Sequence, residues 1–571
     1  MNTINRNSHF LSKDFITEVA SKVSANPFWV VEDDGSITIP ERNVVLPIYF
    51  HHTLPSMGFR IINRSGSYLP IQVRDNRVRD VGDEEVKNFI RRVITALPDG
   101  AAILDKMVMH YGWFFNEKNA TTFRYLEDAS FLKDTRGCAY RFFENGVIKV
   151  AKNKPVELLS YGDFDENLLI WEGQVIRRSI DLKLVQSYNQ EEFLSDNTNQ
   201  VGNHFYRWTQ NLCKSQEEDN QWVFNQKTFK ALASGFGYLQ HRFWADEKIV
   251  CFVDEIIVDD RAEGRTGKSV VMNDALSNLL DTCVVDAKDM SKAKSNTSNA
   301  SFVFNFVSPA TQYIAIDDCA EDFDFNALFS KVTGPLTVNR KYGGMFQFPK
   351  KDKPKMGLST NHPIEGDGFS YTDRQHLVSV GTYYQYHKKE LGKSPAELHG
   401  CYLFDEDWGS KNWEEFDAIS INFLQYYLDN GLVGGGYTDK YRVSKLNQSV
   451  GSSELVDALN RLLQENVGQT IFQKKVEGMD AISASRCLKE YVESCTGETY
   501  TTNKLSKDLH KVATHYGYKI NVGQGDRPQK RFGPGGGKGV NSYLITTDAN
   551  PFPPKEDTNT VPEKDFSSLF D

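Results

Sequence analysis

Residues 263–269 read Glu-Gly-Arg-Thr-Gly-Lys-Ser, inside the longer stretch KIVCFVDEIIVDDRAEGRTGKSVVMNDALSNLL from Lys248 to Leu280. A loop that takes a phosphate needs small residues so that backbone N–H groups can turn toward the anion, an ammonium for the outer phosphates and a hydroxyl for Mg²⁺. Gly264, Thr266, Gly267, Lys268 and Ser269 supply these parts. KIVCFVDE (248–255) is short, apolar and bounded by charges, as a buried strand is, and VVMNDALSNLL (270–280) has helical apolar spacing. The loop is therefore expected between a strand and a helix N-terminus, where the helix dipole and free N–H groups favour anions. The common pattern has Gly at position 262, and this chain has Ala262, with Gly264 left to supply the flexibility.

Four further strings follow in order. YIAIDD (313–318) is an apolar run ending in Asp317 and Asp318, 49 residues beyond Lys268. At a strand tip beside a phosphate loop, one acid can hold Mg²⁺ through water and the next can orient or deprotonate an attacking water. LTVNRKYGGMFQF (336–348) alternates apolar and polar residues about Tyr342-Gly343-Gly344 and predicts a β-hairpin. Its tip carries Arg340, Lys341 and Tyr342, two cations and a ring, which suffices to grip a single strand without reading its sequence. KPKMGLS predicts another strand, ending at Ser359-Thr360-Asn361-His362, where a neutral amide can bond both a γ-phosphate oxygen and the lytic water. Arg374, 13 residues beyond Asn361, suits an arginine finger acting from a neighbouring subunit. Singly, Asn361 reads equally as a turn residue and Arg374 as a solvated charge.

Together the strings resemble the helicase core of superfamily 3, with closest likeness to phage, mobile-element and poxvirus-type primase-helicases, over about residues 245–385. EGRTGKS is similar to that family's Walker A, IDD to its Walker B, VTGPLTVNRKYGG to its B′ motif and STN to its motif C. The resemblance implies an AAA+-like core with ATP and Mg²⁺ on Lys268 and Ser269, metal and water on Asp317 and Asp318, and Asn361 as sensor. It also implies Arg374 acting in trans within a hexamer, Lys341 and Tyr342 on single-stranded DNA in the central channel, and 3′→5′ polarity. Two departures stand out: Gly334 is followed by Pro335 and Leu336 where relatives carry a second Gly and an acid, and Arg374 is followed by Gln375 where many relatives have a second arginine.

At 571 residues the chain has room for three or four domains, and 40% hydrophobic with 25% charged residues is ordinary for a globular protein. No run of 18 apolar residues exists, and MNTINRNSHFLSKD lacks the apolar centre of a signal peptide, so a cytoplasmic protein is expected. The eight cysteines include no C-x-x-C pair, which speaks against a zinc ribbon and for reduced thiols, and Cys251 and Cys319 fall in strand-like runs. A net charge of −10 is unusual for a DNA-holding protein, but local potential is what counts. Residues 471–545 hold 12 Lys/Arg against 7 Asp/Glu, whereas 546–571 hold 6 acids against 2 lysines.

The fold class expected is multidomain α/β, in six segments: an α+β region (1–195), a helical collar that would hold subunits together (196–247), the ATPase core (248–390), a helical region (391–470), a basic winged-helix-like domain (471–545) and an acidic tail (546–571). In the first, EEVKNFIRRVITAL is helical, RFFENGVIKV is similar to a segment of the phage helicases, and His51-His52 is a bare structural or exposed pair. In the fourth, 411–433 is helical with Gly431 as its stop. In the fifth, two helices, the second capped by Thr502 or Asn503, precede strand-like YKINV and NSYLIT, with the basic GQGDRPQKRFGPGGGKGVN between as a wing tip and Gly533–Gly539 mobile without a partner. Phe566, Leu569 and Phe570 in the tail could dock on a replication protein, or the tail merely solvates. The function expected is a ring DNA helicase working on single-stranded DNA and forked duplex. The alternatives are a replication initiator or ATP-switched DNA-binding assembly, a protein-remodelling ring ATPase, and a primase fused to the motor, although 1–195 shows no primase carboxylate triad and no His-hydrophobic-His nicking motif.

Overall fold

The structure is a computed structural model that describes residues 8–548 apart from 65–66, 116–121, 128–129, 166–167, 189–192, 196–202, 217–220, 256–263, 289, 291–302, 322, 341–343, 365–368, 522–528, 534 and 536. The chain is mixed α/β, and its described residues pack into two compact units, one up to residue 438 and one from 439 onward. Among the described residues no helix is long and apolar enough to cross a membrane.

The first unit is built on five parallel strands: β1 (Ile249–Asp254), β2 (Thr282–Asp286), β3 (Tyr313–Cys319), β4 (Lys355–Thr360) and β5 (Gln375–Val380), in the spatial order β2-β3-β4-β1-β5. Every residue of β1 and β4 is buried, which is why IVCFVD is a continuous apolar run instead of an alternating one. Register fixes the frame: Val250 lies opposite Gly357, Ile249 opposite Gln375, and Tyr313 between Thr282 and Lys355. Between Ile316 and Cys319 the β3–β4 register slips, so the strand bulges at Asp317-Asp318, and Asp318 takes a left-handed φ of 55°.

Helices α1 (His204–Leu212), α2 (Gln226–Gln240) and α3 (Ser410–Asn430) lie in the segments expected before and after the ATPase core, yet all three share one apolar core with the sheet. Phe229, Leu232, Phe236 and Leu239 of α2 and Phe416, Ile419, Phe423 and Leu424 of α3 belong to that core. The packing thus groups these helices with the sheet. Gly431 ends α3 with φ 72°, the stop expected from sequence.

The preceding residues form a second core in the same unit, from helices Lys13–Ala25, Asp83–Thr95 and Gly100–Met109. Beside it stands a five-stranded mixed sheet whose outer ladder pairs Phe59–Arg64 with Ser67–Arg74. RFFENGVIKV forms an antiparallel pair, Cys138–Phe143 with Gly146–Ala151, turning at Glu144-Asn145. His51 and His52 are exposed on a π-helical turn. All eight cysteines are free, and Cys251 and Cys319 are core residues.

The second unit collects helices Asp439–Val450 and Ser453–Glu465 with Leu488–Thr496, Thr502–His515 and the strands that follow, all around one core of Leu455, Leu459, Leu488, Leu505, Leu509 and Tyr543. Its long strand Lys538–Thr546 pairs antiparallel with Thr470–Phe472, Lys519–Ile520 and Gln529–Phe532. Two expectations are corrected. Thr501, not Thr502 or Asn503, caps the helix, its hydroxyl accepting from the Lys504 N–H at 3.3 Å. Lys538 and Gly539, expected to be mobile, are paired with Phe532 and Arg531, because the strand ladder continues into the basic segment. The acidic tail from 549 onward lies outside the described residues.

Candidate functional site

In an open parallel α/β sheet, side chains and loops at the carboxyl ends of the strands converge, and ligands bind there. Three of the sequence motifs arrive at that edge. β1 delivers the loop 264–269, β3 delivers Asp317 and Asp318, and β4, lying between them, delivers Asn361. Gly264, Thr266, Gly267, Lys268, Ser269, Asp317, Asp318 and Asn361 all line one open cleft of ≈ 580 Å³.

The loop bends as small residues permit. Gly264, Arg265 and Gly267 have φ of 63°, 60° and 96°, and the chain then enters a helix that contains a π-helical turn over Val270–Ala275. A Cβ on Gly267 would lie 2.9 Å from the Trp208 ring and 3.2 Å from Tyr384, so glycine is required for space as well as conformation. Trp208 stacks on Tyr384 with ring centroids 4.1 Å apart and donates its indole N–H to the Gly267 carbonyl at 3.2 Å. Behind them the Tyr384 hydroxyl meets His399 Nε2 at 2.7 Å, and burial pulls the His399 pKa down to about 3. The loop therefore rests on a rigid aromatic floor supplied by α1 and the segment after β5.

Lys268 is only 6% exposed. Its ammonium donates to Asp254 Oδ1, to Thr266 Oγ1 at 3.1 Å and to Asn361 Oδ1 at 2.8 Å, and Thr266 itself donates to Asp254 at 2.6 Å. Burial lowers the Lys268 pKa, while the Asp254 carboxylate, and then Asp317 and Asp318, oppose the fall. Asp254, the last residue of β1, was not singled out from sequence. Its signal in the sequence was its place, with Glu255, at the end of an apolar run.

The two acids are held differently. Asp317 accepts from the Ser359 hydroxyl at 2.5 Å and from the Asn273 amide at 2.7 Å, which fixes both of its oxygens. Asp318 sits on the bulge, its N–H bonded to Ser359 Oγ at 3.1 Å, and its carboxylate reaches an exposed Lys288 at 3.1 Å. Ser359, in the string quoted for Asn361, is the hydroxyl that ties β4 to the acids. Trp208, Tyr384 and the exposed Lys388 also line the cleft and carried no motif.

The donor set suits Mg²⁺. No group of three or more His, Cys, Asp or Glu placed to hold a metal exists among the described residues. What the cleft offers is the Ser269 hydroxyl that ends the loop and two adjacent carboxylates, and Mg²⁺ is commonly held by one or two carboxylates together with waters and substrate phosphates.

Arg374 is not brought into this cleft. It precedes β5 and so lies at the amino edge of the sheet, where its carbonyl accepts from Ile249 N–H at 2.8 Å, a strand's length of about 20 Å from the loop at the far edge. Its guanidinium covers the Phe329 ring at 4.6 Å and donates to the Ser370 carbonyl at 2.7 Å. Phe329 begins the short helix Phe329–Thr333 that leads into the hairpin.

The hairpin forms as expected, Leu336–Arg340 pairing with Gly344–Phe348. Gly334, whose neighbours Pro335 and Leu336 depart from the family pattern, is extended, and Lys353 gathers the carbonyls of Lys331, Val332 and Gly334 at 2.6, 2.5 and 2.7 Å. That places an ammonium on the carboxyl end of the short helix, where it is favourable. Arg340 is engaged within the chain, donating to Asp80 at 2.9 Å beside the Phe346 ring. Lys341 and Tyr342 lie outside the described residues.

No protein-family model and no curated protein matches the chain. Among solved structures it is similar to the apo structure of the NrS-1 C-terminal region and to an A form of the same region, each at 10% identity and a TM-score of 0.39, with 87% of this chain and 99% of that one covered. A further A-form structure of that region gives a TM-score of 0.36. At this degree of likeness the functional reading rests on the cleft and not on the neighbours.

Proposed function

We propose that the chain is an ATP-driven motor of superfamily 3 helicase type, which forms a ring and draws single-stranded DNA through it. The observation that carries this reading is the convergence of Lys268, Ser269, Asp317, Asp318 and Asn361, from three separate strands, on one cleft at the carboxyl edge of a parallel sheet. Lys268 and the 264–269 loop receive the β- and γ-phosphates of ATP. Ser269 and Asp317 are the residues that would hold Mg²⁺, which would neutralise charge developing on the phosphates. Asp317 is pinned on both oxygens and so serves position. Asp318, less constrained, orients or deprotonates the attacking water. Asn361, whose amide oxygen already accepts from Lys268, donates its amide N–H to a γ-phosphate oxygen and reports the nucleotide state.

Arg374 stands too far from its own cleft to stabilise phosphoryl transfer there, which supports action on the cleft of a second copy. A ring, of six in the family this chain resembles, is the arrangement in which each copy both gives and receives such a residue. DNA contact falls to Lys341 and Tyr342 at the hairpin tip, since Arg340 is taken by Asp80. The basic strand pair of the second unit, with Lys530, Arg531 and Lys538 exposed, supports a winged-helix reading in which the wing touches phosphates.

The test is the ATPase rate with and without single-stranded DNA, for the parent and for Lys341→Ala, together with strand displacement on a forked duplex. A motor gives DNA-stimulated turnover, loses the stimulation in Lys341→Ala while keeping basal turnover, and displaces strands. Stimulation unchanged in the variant removes the hairpin from the mechanism, and ATPase without strand displacement leaves an initiator or switch.

A further inference from the structure

The phosphate cleft does not end at the loop. A second cavity of ≈ 320 Å³ adjoins it, and the two share Trp208, Val270, Ser394 and Pro395 as common wall. Its remaining lining changes character, with Ala396 and Leu403 apolar and Tyr402 at the mouth. Tyr402 is 71% exposed, a large ring left open to solvent at the rim of an apolar hollow.

We propose that this second cavity seats the base of the nucleotide, with the ring stacked on Tyr402 and walled by Val270 and Pro395; the assignment rests on the ATPase reading above. Three observations carry it. Val270 directly follows Ser269, so the hollow opens one residue beyond the hydroxyl assigned to Mg²⁺ and phosphate. A nucleotide laid with its phosphates on the loop is therefore led past Val270 into the hollow. The chemistry also divides as a nucleotide does, into ammonium, hydroxyl and carboxylates in the first cavity and aliphatic and aromatic walls in the second. Flat rings bury well against such walls and gain from stacking on an aromatic face.

Asp274 supplies the polar end. It lines the second cavity on the same helix as Val270, and among the described residues its carboxylate has no hydrogen-bond partner. Burial, and then the charge of Asp317, raise its pKa. A carboxyl group so placed accepts from an exocyclic amino group, and its protonated form can donate to a ring nitrogen. The occupant that matches is a purine carrying an amino group, larger than a pyrimidine and so better stacked on Tyr402.

The experiment is equilibrium binding of ATP, GTP, CTP and inorganic tripolyphosphate to the full chain with Mg²⁺, for the parent, Tyr402→Ala, Ala396→Trp and Lys268→Ala. Tyr402 is exposed and its replacement leaves the core untouched, while Ala396→Trp fills the hollow instead of emptying it. The proposal expects purine nucleotides to bind more tightly than CTP and than tripolyphosphate. It expects Tyr402→Ala to weaken ATP about tenfold, the scale of one base–aromatic stack, and Ala396→Trp to weaken it at least as much, with tripolyphosphate unchanged in both. ATP binding unaltered by both variants but lost in Lys268→Ala overturns the base site and leaves the phosphate site standing. Binding of ATP and of tripolyphosphate that both ignore Lys268→Ala overturns the phosphate site and the base site with it.

Discussion

Lys268 and Asp254 form a buried pair in which each depends on the other. An ammonium with so little access to water needs a counter-charge, and without a phosphate that charge is Asp254, helped by the Thr266 hydroxyl and the Asn361 amide. Removing one member of a buried pair leaves the other uncompensated, at a cost of about 3 kcal/mol. Asp254→Asn is therefore expected to lower the stability of the nucleotide-free protein by about that amount. Because the carboxylate also competes with phosphate for the ammonium, the same variant should gain more stabilisation from Mg-ADP than the parent does. Thermal melts with and without Mg-ADP check both, and an unchanged ligand-induced shift would show that Asp254 is no competitor. Lys268 itself was legible in the sequence because the loop pattern is local. Asp254 was not, since a strand-end acid 14 residues earlier gains its meaning only when the loop folds back over it.

At the scale of elements, the crossing of α2 and α3 shows why two helices far apart in sequence belong to the sheet's core. Gly237 lets the helices touch backbone to side chain: a Cβ there would fall 2.2 Å from the Phe423 carbonyl oxygen and 2.8 Å from Tyr427 Cβ. Neither helix can yield without moving Phe423 and Leu424, which pack on the remaining core. Gly237→Ala should therefore destabilise the first unit by about 3 kcal/mol, the upper range for overpacking, even though alanine favours helices. Denaturant unfolding of the full chain measures this, and a neutral or stabilised variant would refute the tight crossing. Helix positions were readable from apolar spacing, as for α3 with its Gly431 stop. Their partners were not, because periodicity says which face is buried and nothing about what covers it. The hairpin shows the same division: alternation about Gly343-Gly344 announces two paired strands, whereas the engagement of Arg340 by Asp80 joins residues 260 positions apart.

For the whole molecule, buried histidines tie stability to pH. His241 and His376 are at most 5% exposed and burial lowers each pKa to about 4, while His399 is lowered to about 3. The unfolded chain takes up protons at these sites near pH 6.5, well before the folded one, so stability falls as pH drops below that value, by about 2 kcal/mol per histidine between pH 7 and pH 5. Glu172 and Asp417, whose carboxyls burial pushes up, act in the opposite sense as they take up protons. Melting the parent and His376→Gln at pH 7 and pH 5 isolates one share: the variant should lose about 2 kcal/mol less than the parent. The ring reading makes its own demand. Mixing Arg374→Ala with Lys268→Ala protein should restore part of the ATPase that each lacks alone, since an intact finger and an intact loop then meet across a boundary. No recovery at any ratio would mean that Arg374 serves no neighbouring cleft. Read without any fold, the sequence already held the order of loop, acid pair, hairpin and amide, the strands beneath them and the charge division near the carboxyl end, because each depends on residues within a dozen positions. Three-dimensional packing had to supply the rest: the β2-β3-β4-β1-β5 order that sets Asn361 between loop and acids, the pairing of Lys268 with Asp254, the aromatic floor of Trp208 and Tyr384, and the placing of Arg374 at the opposite edge. Those are relations between distant segments, and they exist only once burial of the apolar strands has fixed which neighbours each one has.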